Sequence, residues 1–299
     1  MTKLKTIFMG TPDFAVSCLD AIKDKVDLIT IITQPDKPSG RGHKLTPPPV
    51  KTWALDHNIP VLQPERIKTD EFIMQIAQRK PDLIIVVAFG RILTQQILDL
   101  PKFGCINVHA SLLPKYRGAA PIEWSIINGE TKTGVTTMLM NAGLDTGDML
   151  VKREVEITDD MILPELREKL MHLGADALVE TIEQIENGTL NPQKQDDTLS
   201  NYAPMLNKET GRIDWQKSSR EVHNLVRGLY GNAYTIINDK KYKICRTKIL
   251  DRKFNAGEVV CDKNKLIIGT GDGSVEVLEI HAPNCKKMSP AEYLCGHKI

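Results

Sequence analysis

At 299 residues, 41% hydrophobic and 26% charged, the chain exceeds the usual size of one compact domain, and its net charge of +1 gives no compositional sign of a nucleic-acid partner. The charge is unevenly placed, however: residues 208–299 hold 17 Lys/Arg against 11 Asp/Glu, net +6, and the remainder holds 22 against 27, net −5. The six cysteines include no C-x-x-C pair and no grouping with His at zinc-ligand spacing, and no apolar run approaches the ~18 residues that span a bilayer. Secretion, membrane insertion and a zinc site are disfavoured, and a reduced, cytoplasmic protein is expected.

In chain order, short β-rich runs alternate with longer amphipathic ones as far as about residue 155. Strands are expected at residues 6–9, 28–33, 83–88, 105–108 and 135–140, and helices at 13–24, 69–78 and 121–128. Runs of Val and Ile without polar alternation are the pattern of parallel strands buried on both faces. The front part is therefore expected to be a Rossmann-like, doubly wound, mostly parallel α/β sheet. The turn Gly10-Thr11-Pro12 lacks the G-x-G-x-x-G spacing that cradles a pyrophosphate, and Pro12 has no N–H to donate. It is expected to start the first helix, with Pro12 near the first helical position, rather than to bind a dinucleotide. Residues 34–51 form a long basic loop containing Lys37, Arg41, His43, Lys44 and Lys51; composition alone makes this a solvated loop.

A helical period runs from residue 162 to 186 through Leu163, Leu166, Leu170, Leu173, Ala177, Leu178, Ile182 and Ile185, with Asp159 or Asp160 available to cap its start and Gly188 to end it. The polar, turn-rich stretch 189–206 has no sustained period and is read as a linker between a domain at 1–188 and one at 207–299. The second domain offers a short helix at 219–227, then short strands at 233–237, 242–249, 259–261, 265–270 and 274–280. An OB-like β-barrel is expected there, a β-sandwich giving much the same pattern. Lys240, Lys241, Lys243, Arg246 and Lys248 place five positive charges in nine residues, suited to one positive face on a strand pair.

The chemistry is expected in G-C-I-N-V-H-A-S-L-L-P-K-Y-R-G-A-A-P, residues 104–121. Asn107 and His109 stand at i and i+2, so their side chains leave one face of a strand that is about to end, where open α/β sheets bind ligands. Asp145 follows 36 residues after His109, in G-L-D-T-G-D. A carboxamide, an imidazole and a carboxylate together supply a fixed donor, a titratable group and a group able to orient it. A lone histidine after an apolar run is more often structural, and Asn-x-His alone is a weak signal; the combination marks the site.

The continuous string N-V-H-A-S-L-L-P-K-Y-R-G-A-A-P-I followed by G-L-D-T-G-D closely resembles the active-site signature of the folate-dependent formyltransferases. The segments I-F-M-G-T-P-D-F-A, T-Q-P-D-K-P-S-G-R-G-H-K-L-T-P-P-P-V-K, V-V-A-F-G and R-I-D-W are similar to those of its members that act on charged tRNA. The likeness covers nearly all of the front domain and thins in the back one, where G-L-Y-G-N-A-Y-T at 228–235 replaces a Pro/Trp-rich segment usual in the family. The resemblance implies a Rossmann-like catalytic domain and an OB-like domain, 10-formyltetrahydrofolate as formyl donor, methionyl-initiator tRNA as acceptor, no metal, and a cytoplasmic monomer.

Residue by residue, it implies catalysis by Asn107, His109 and Asp145 and folate binding by Ser111, Leu112, Leu113 and Pro114. It further implies tRNA contact by Lys37, Arg41 and Lys44 of the basic loop, Arg41 foremost. Lys241, Lys243 and Arg246 are expected, on their charge, to face the tRNA from the back domain. Asn107 and a protonated His109 are expected to donate to the oxyanion of a tetrahedral intermediate, while Asp145 holds the imidazole and helps remove the amine proton. A formyltransferase for a nucleotide sugar or glycinamide ribonucleotide, and a non-catalytic tRNA-binding protein on the same fold, are the alternatives. The basic loop and basic back domain speak against the first two, and the presence of Asn107, His109 and Asp145 against the last.

Overall fold

The computed structural model describes residues 3–39, 44–262, 264–297 and 299. In chain order the first part contains β1 (Lys5–Gly10), α1 (Asp13–Ile22), β2 (Asp27–Ile32), β3 (Lys37–Ser39), β4 (Lys44–Thr46), α2 (Pro49–Asp56), β5 (Val61–Leu62), α3 (Asp70–Ala77), β6 (Leu83–Val87), α4 (Gln95–Leu98), β7 (Cys105–His109) and β8 (Arg117–Gly118). There follow α5 (Pro121–Ile127), β9 (Lys132–Leu139), β10 (Met149–Glu156), α6 (Leu163–Asn187), β11 (Tyr202–Ala203), α7 (Ser219–Gly228), β12 (Tyr234–Ile237), β13 (Lys240–Leu250), β14 (Val259–Asp262), β15 (Lys265–Gly269), β16 (Ser274–His281) and α8 (Pro290–Leu294).

The Val/Ile-rich runs do form a central sheet, ordered β10-β9-β7-β6-β1-β2-β5. β1 lies parallel to both β2 and β6, β2 to β5 and β6 to β7, whereas β9 runs antiparallel to β7. The sheet is thus mostly parallel and Rossmann-like. β6, Leu-Ile-Ile-Val-Val, is buried along its whole length, as a strand covered on both faces must be. β10 was not expected from the sequence: Met-Leu-Val-Lys-Arg-Glu-Val-Glu carries Lys152, Arg153 and Glu154 in succession, charges tolerated because the strand lies at the sheet edge. At the end of β1, a Cβ on Gly10 would lie 2.7 Å from the Phe8 ring and 2.8 Å from Ala15 Cβ, so glycine is required for α1 to pack closely. Pro12 takes the N-cap of α1, one position earlier than expected.

The long helix also starts differently from expectation. Glu165 Oε2 accepts from the Ile162 N–H at 3.1 Å, while Asp159 instead pairs with Arg220 at 3.2 Å and gives its carbonyl to His223. Gly188, at φ +66°, ends the helix as expected; its N–H and that of Thr189 close on the carbonyls of Ile185 and Gln184 at 3.2 and 2.9 Å. Within the described part of the basic loop, β3 and β4 pair as an antiparallel ribbon with Lys37 opposite Thr46 and Ser39 opposite Lys44, which composition does not suggest. Arg41 and His43 lie outside the described residues. Segment 189–206 is not a free tether either. Gln193 exchanges backbone bonds with Met149, Asp197–Leu199 forms a 3-10 turn, and β11 pairs in parallel with β8. Such pairings join residues far apart in the chain and leave no local period to read.

The chain divides into two compact units, one comprising Met1–Ala119, Gly134–Val155 and Arg167–Ala203, the other Ala120–Thr133, Glu156–Leu166 and Pro204–Ile299. In the second unit α7 begins with a reciprocal cap between Ser218 and Glu221. Beside it lies a five-stranded antiparallel sheet ordered β12-β13-β16-β15-β14. Its core gathers Val222 and Val226 of α7 with Tyr242, Ile244, Leu266, Ile268, Val275, Val277, Ile280 and Tyr293. Among the described residues β12 does not pair with β14, so the sheet is a half-barrel. In a regular strand Lys241 and Lys243 would face away from Arg246 and Lys248. The register of β13 slips between Ile244 and Thr247, buried Cys245 takes the additional place, and Lys241, Arg246 and Lys248 are all exposed.

Candidate active site

The candidate site is built on the carboxyl end of β7. Asn107 and His109 lie two residues apart on that strand and pair with Met138 and Thr136 of β9. The half-buried Asn107 carboxamide makes no hydrogen bond to the described residues, which leaves two donors for a ligand. His109 is 6% exposed, and its Nε2 lies 2.8 Å from the Tyr116 carbonyl. A carbonyl only accepts, so Nε2 carries a proton and Nδ1 is the nitrogen left for other work. Nδ1 faces Asp145 Oδ2 at 3.7 Å, longer than a hydrogen bond. Asp145, expected to hold the imidazole, lies within ion-pair distance of Nδ1, and the hydrogen bond that the ring makes is to the Tyr116 carbonyl.

Two loops bring these groups together. In the first, Tyr116 adopts a left-handed backbone at φ +60°, which lets its carbonyl turn back to His109. Gly118 then donates its N–H to Asp145 Oδ2 at 2.8 Å. In the second, Asp145 is itself left-handed at φ +53°, a conformation that costs on the order of 1–3 kcal/mol at a non-glycine residue and requires support from its surroundings. The Asp145 side chain is 12% exposed.

The stretch expected to hold a folate is only partly accessible. Ser111 and Leu113 are 0% and 1% exposed; the Ser111 hydroxyl donates to the Lys115 carbonyl at 2.6 Å, and Leu113 packs with Met138 and Met149. Leu112 and Pro114 keep accessible surface. Lys152 Nζ donates to the Leu113 carbonyl at 2.7 Å, and partial burial holds its ammonium below the usual lysine range, with Glu154 opposing. The wholly buried Thr136 hydroxyl bridges the loop, accepting from the Leu113 N–H at 3.1 Å and donating to the Ser111 carbonyl at 2.8 Å. Thr136→Val keeps the shape but leaves both backbone groups unpaired; a stability loss of about 1–3 kcal/mol is expected in urea denaturation. Wild-type stability would mean that the bridge is not what holds this loop.

Thiol chemistry does not compete here. Burial pushes the Cys105 thiol of β7 up to about 12, with Asp99 adding to the effect, and burial alone takes Cys18 to about 12, so neither supplies a thiolate near neutrality. Among the described residues no group of three His, Cys, Asp or Glu side chains is arranged to hold a metal ion, and no helix is long and apolar enough to cross a membrane.

The basic residues differ in how free their charges are. Exposed Lys37 donates to the Gln34 side chain at 2.8 Å, and Lys44 is exposed on the ribbon. Lys51 is tied to Asp36 at 2.8 Å; hydrogen bonds from Gln63 and then Lys51 keep that carboxyl below its ordinary range. Lys241 rests over the Tyr234 ring at 3.5 Å. Lys243 is partly exposed, and Arg246 sits beside Glu165 at 3.2 Å and Glu279 at 3.9 Å, which offset its charge. Sequence reasoning did not single out the Tyr116 carbonyl, the Gly118 N–H or Gln195. The first two are backbone groups inside the motif, and the third lies in an apparent linker.

The polar groups gathered at a strand end of an open α/β sheet, in a chain that also holds an antiparallel β unit, are the setting in which the family match below places a group-transfer enzyme. The formyl transferase model matches residues 3–182 and the formyl transferase C-terminal domain model matches 205–298, and the chain belongs to this family. Within it the chain stands with the methionyl-tRNA formyltransferases. That of Acetivibrio thermocellus is 48% identical over 303 residues, covering 99% of this chain and 97% of the relative; that of Clostridioides difficile is 50% identical over 302 residues, covering 99% and 98%. The fold is also that of WlaRD, a sugar 3N-formyl transferase, with TM-score 0.70 and 23% identity over 96% of this chain and all of that one. An N-formyltransferase from Helicobacter canadensis, solved with folinic acid and dTDP-3-aminofucose, gives TM-score 0.69 and 22% identity over 92% and 98% of the two chains.

Proposed function

We propose that this enzyme transfers a formyl group from 10-formyltetrahydrofolate to the α-amine of methionyl-initiator tRNA. The observation that carries the reading is the 48–50% identity with methionyl-tRNA formyltransferases across both domains. The sugar-acting neighbours share the fold at only 22–23% identity.

The α-amine lone pair forms a bond to the formyl carbon while the carbonyl π pair moves to oxygen. The Asn107 carboxamide, without a hydrogen-bond partner among the described residues, donates to that oxyanion. With His109 Nε2 committed to Tyr116, an imidazolium offers Nδ1–H as the second donor, beside Asp145. Asp145 receives the amine proton, directly or through water; the oxyanion pair then re-forms the carbonyl, the bond from the formyl carbon to N10 breaks, and N10 leaves with the proton that Asp145 returns. Preorganised donors of this kind are worth about 2.7–4 kcal/mol each. The folate lies against Leu112, Pro114 and the backbone of the Ser111–Leu113 turn, since the side chains of Ser111 and Leu113 are turned inward.

The acceptor end of the tRNA meets the basic loop that contains Lys37, Arg41 and Lys44 in sequence, and the OB-like domain adds Lys241, Lys243 and, less freely, Arg246. Residues 1–188 form the catalytic domain, 189–206 the connection and 207–299 the tRNA-binding domain, in a cytoplasmic monomer. With 10-formyltetrahydrofolate as donor, formylation is expected on Met-charged initiator tRNA and to be far slower on charged elongator tRNA and free methionine. No transfer to any charged tRNA would overturn the proposal.

A further inference from the structure

Residues 191–199 are exposed with one exception: Gln195 alone turns inward. Its two ends do different things. Nε2 donates to the carbonyls of Asp145 at 2.8 Å and Gly147 at 2.7 Å, while Oε1 accepts from Arg117 Nε at 3.0 Å and Nη2 at 2.8 Å. Arg117 is 12% exposed and completes its set with Asp197 at 2.7 Å. A single carboxamide therefore ties the Asp145 loop to the loop that carries the Tyr116 carbonyl and Gly118.

The segment bearing Gln195 is itself fixed on both sides. Before it, Gln193 and Met149 exchange backbone bonds at 2.8 Å in both directions. After it, Arg117 donates its N–H to Asn201 O at 3.0 Å, Ala119 to Ala203 O at 2.9 Å, and Tyr116 to the Asn201 side chain. A Cβ on Gly118 would fall 2.6 Å from both Ala203 O and the Tyr202 ring, so the two backbones meet at the closest approach glycine allows. Asp145 has a left-handed backbone that an isolated loop would not keep, and Gln195 binds the carbonyl of that same residue.

We propose that Gln195 is a positioning residue for formyl transfer: it acts through Asp145, holding that carboxylate opposite His109 Nδ1 by tying its loop to Arg117. The proposal rests on the reading of Asp145 given under Proposed function. It assigns the connecting segment a part in catalysis beyond joining two domains.

Gln195→Glu separates the two ends. The new carboxylate still accepts from Arg117, but it presents an oxygen to the Asp145 and Gly147 carbonyls and repels them. A displacement near 1 Å costs about a hundredfold in rate, so kcat is expected to fall about a hundredfold, with KM for donor and for charged tRNA within about threefold of wild type. Gln195→Met, of similar size and without donors, is expected to fall about as far, and both variants are expected to keep the wild-type circular dichroism spectrum. The deciding measurement is a double-mutant cycle with Asp145→Ala. If Gln195 acts through Asp145, Gln195→Glu adds less than about threefold to the loss caused by Asp145→Ala. Multiplicative losses, or near wild-type kcat in both Gln195 variants, would overturn the proposal. Near wild-type activity in Asp145→Ala alone would instead overturn the site reading on which it rests.

Discussion

Asp145→Asn is expected to lower kcat for formyl transfer by about a thousandfold, within the range of about 10²–10⁴ associated with a positioned acid–base group, and to leave the thermal midpoint near wild type. The substitution is chosen to spare the structure. An asparagine oxygen can still accept the Gly118 N–H that now reaches Asp145 Oδ2 at 2.8 Å, and the bonds from Gln195 go to backbone carbonyls that do not change. What is lost is the negative charge 3.7 Å from His109 Nδ1 and the capacity to take a proton from the attacking amine. Single-turnover formylation with saturating donor measures the chemical step without product release. A rate within tenfold of wild type would remove Asp145 from the mechanism and leave His109 and Asn107 to act alone.

Gly147→Ala is expected to damage both stability and rate, although it adds one methyl group. That Cβ would lie 1.8 Å from the Leu139 carbonyl oxygen, 2.8 Å from the carbon that bears it and 3.3 Å from Met140 Cα. All three are backbone atoms at the end of β9, so no side chain can swing aside. Leu139 is held in place by its own N–H bond to the Asp148 carbonyl at 2.8 Å. Ordinary van der Waals separation is restored only if the loop moves by roughly 1.5 Å, and that loop carries Asp145 and the Gly147 carbonyl gripped by Gln195. A stability loss of about 1–3 kcal/mol and a fall in kcat of about a hundredfold follow, read by chemical denaturation and steady-state kinetics. Gly296→Ala, where a Cβ meets nothing within 4 Å, serves as the silent control. Wild-type stability and rate in Gly147→Ala would show that the loop has slack that its close packing denies.

The legible parts of this molecule are those encoded over a few residues. The buried runs at β1, β2, β6 and β7 announced a mostly parallel sheet, and the i, i+2 spacing placed Asn107 and His109 together on one strand end. The edge strand β10 was hidden by its charges, among them Lys152, Arg153 and Glu154 in succession, which a strand with a neighbour on one side only can carry. The exposure of Lys241, Arg246 and Lys248 on β13 is one that the alternation of a regular strand would have contradicted; the register slip around Cys245 accounts for it. Asp159 and Asp160 looked like helix caps because carboxylates before a helical period usually are, yet Asp159 faces Arg220 and His223 instead.

By itself, the sequence determined the sheet, the strand end that carries the candidate chemistry and, through its motifs, the family. Only the tertiary structure decided how Asp145 approaches, which nitrogen of His109 is free, that Ser111 and Leu113 turn inward, and that Gln195 joins the site. The physical reason is distance along the chain. Strand and helix periods repeat within 2 to 4 residues and are written where they act, but the bond from Gly118 to Asp145 spans 27 residues and that from Tyr116 to Asn201 spans 85. Contacts of that span exist only once the sheet has brought their loops to one edge.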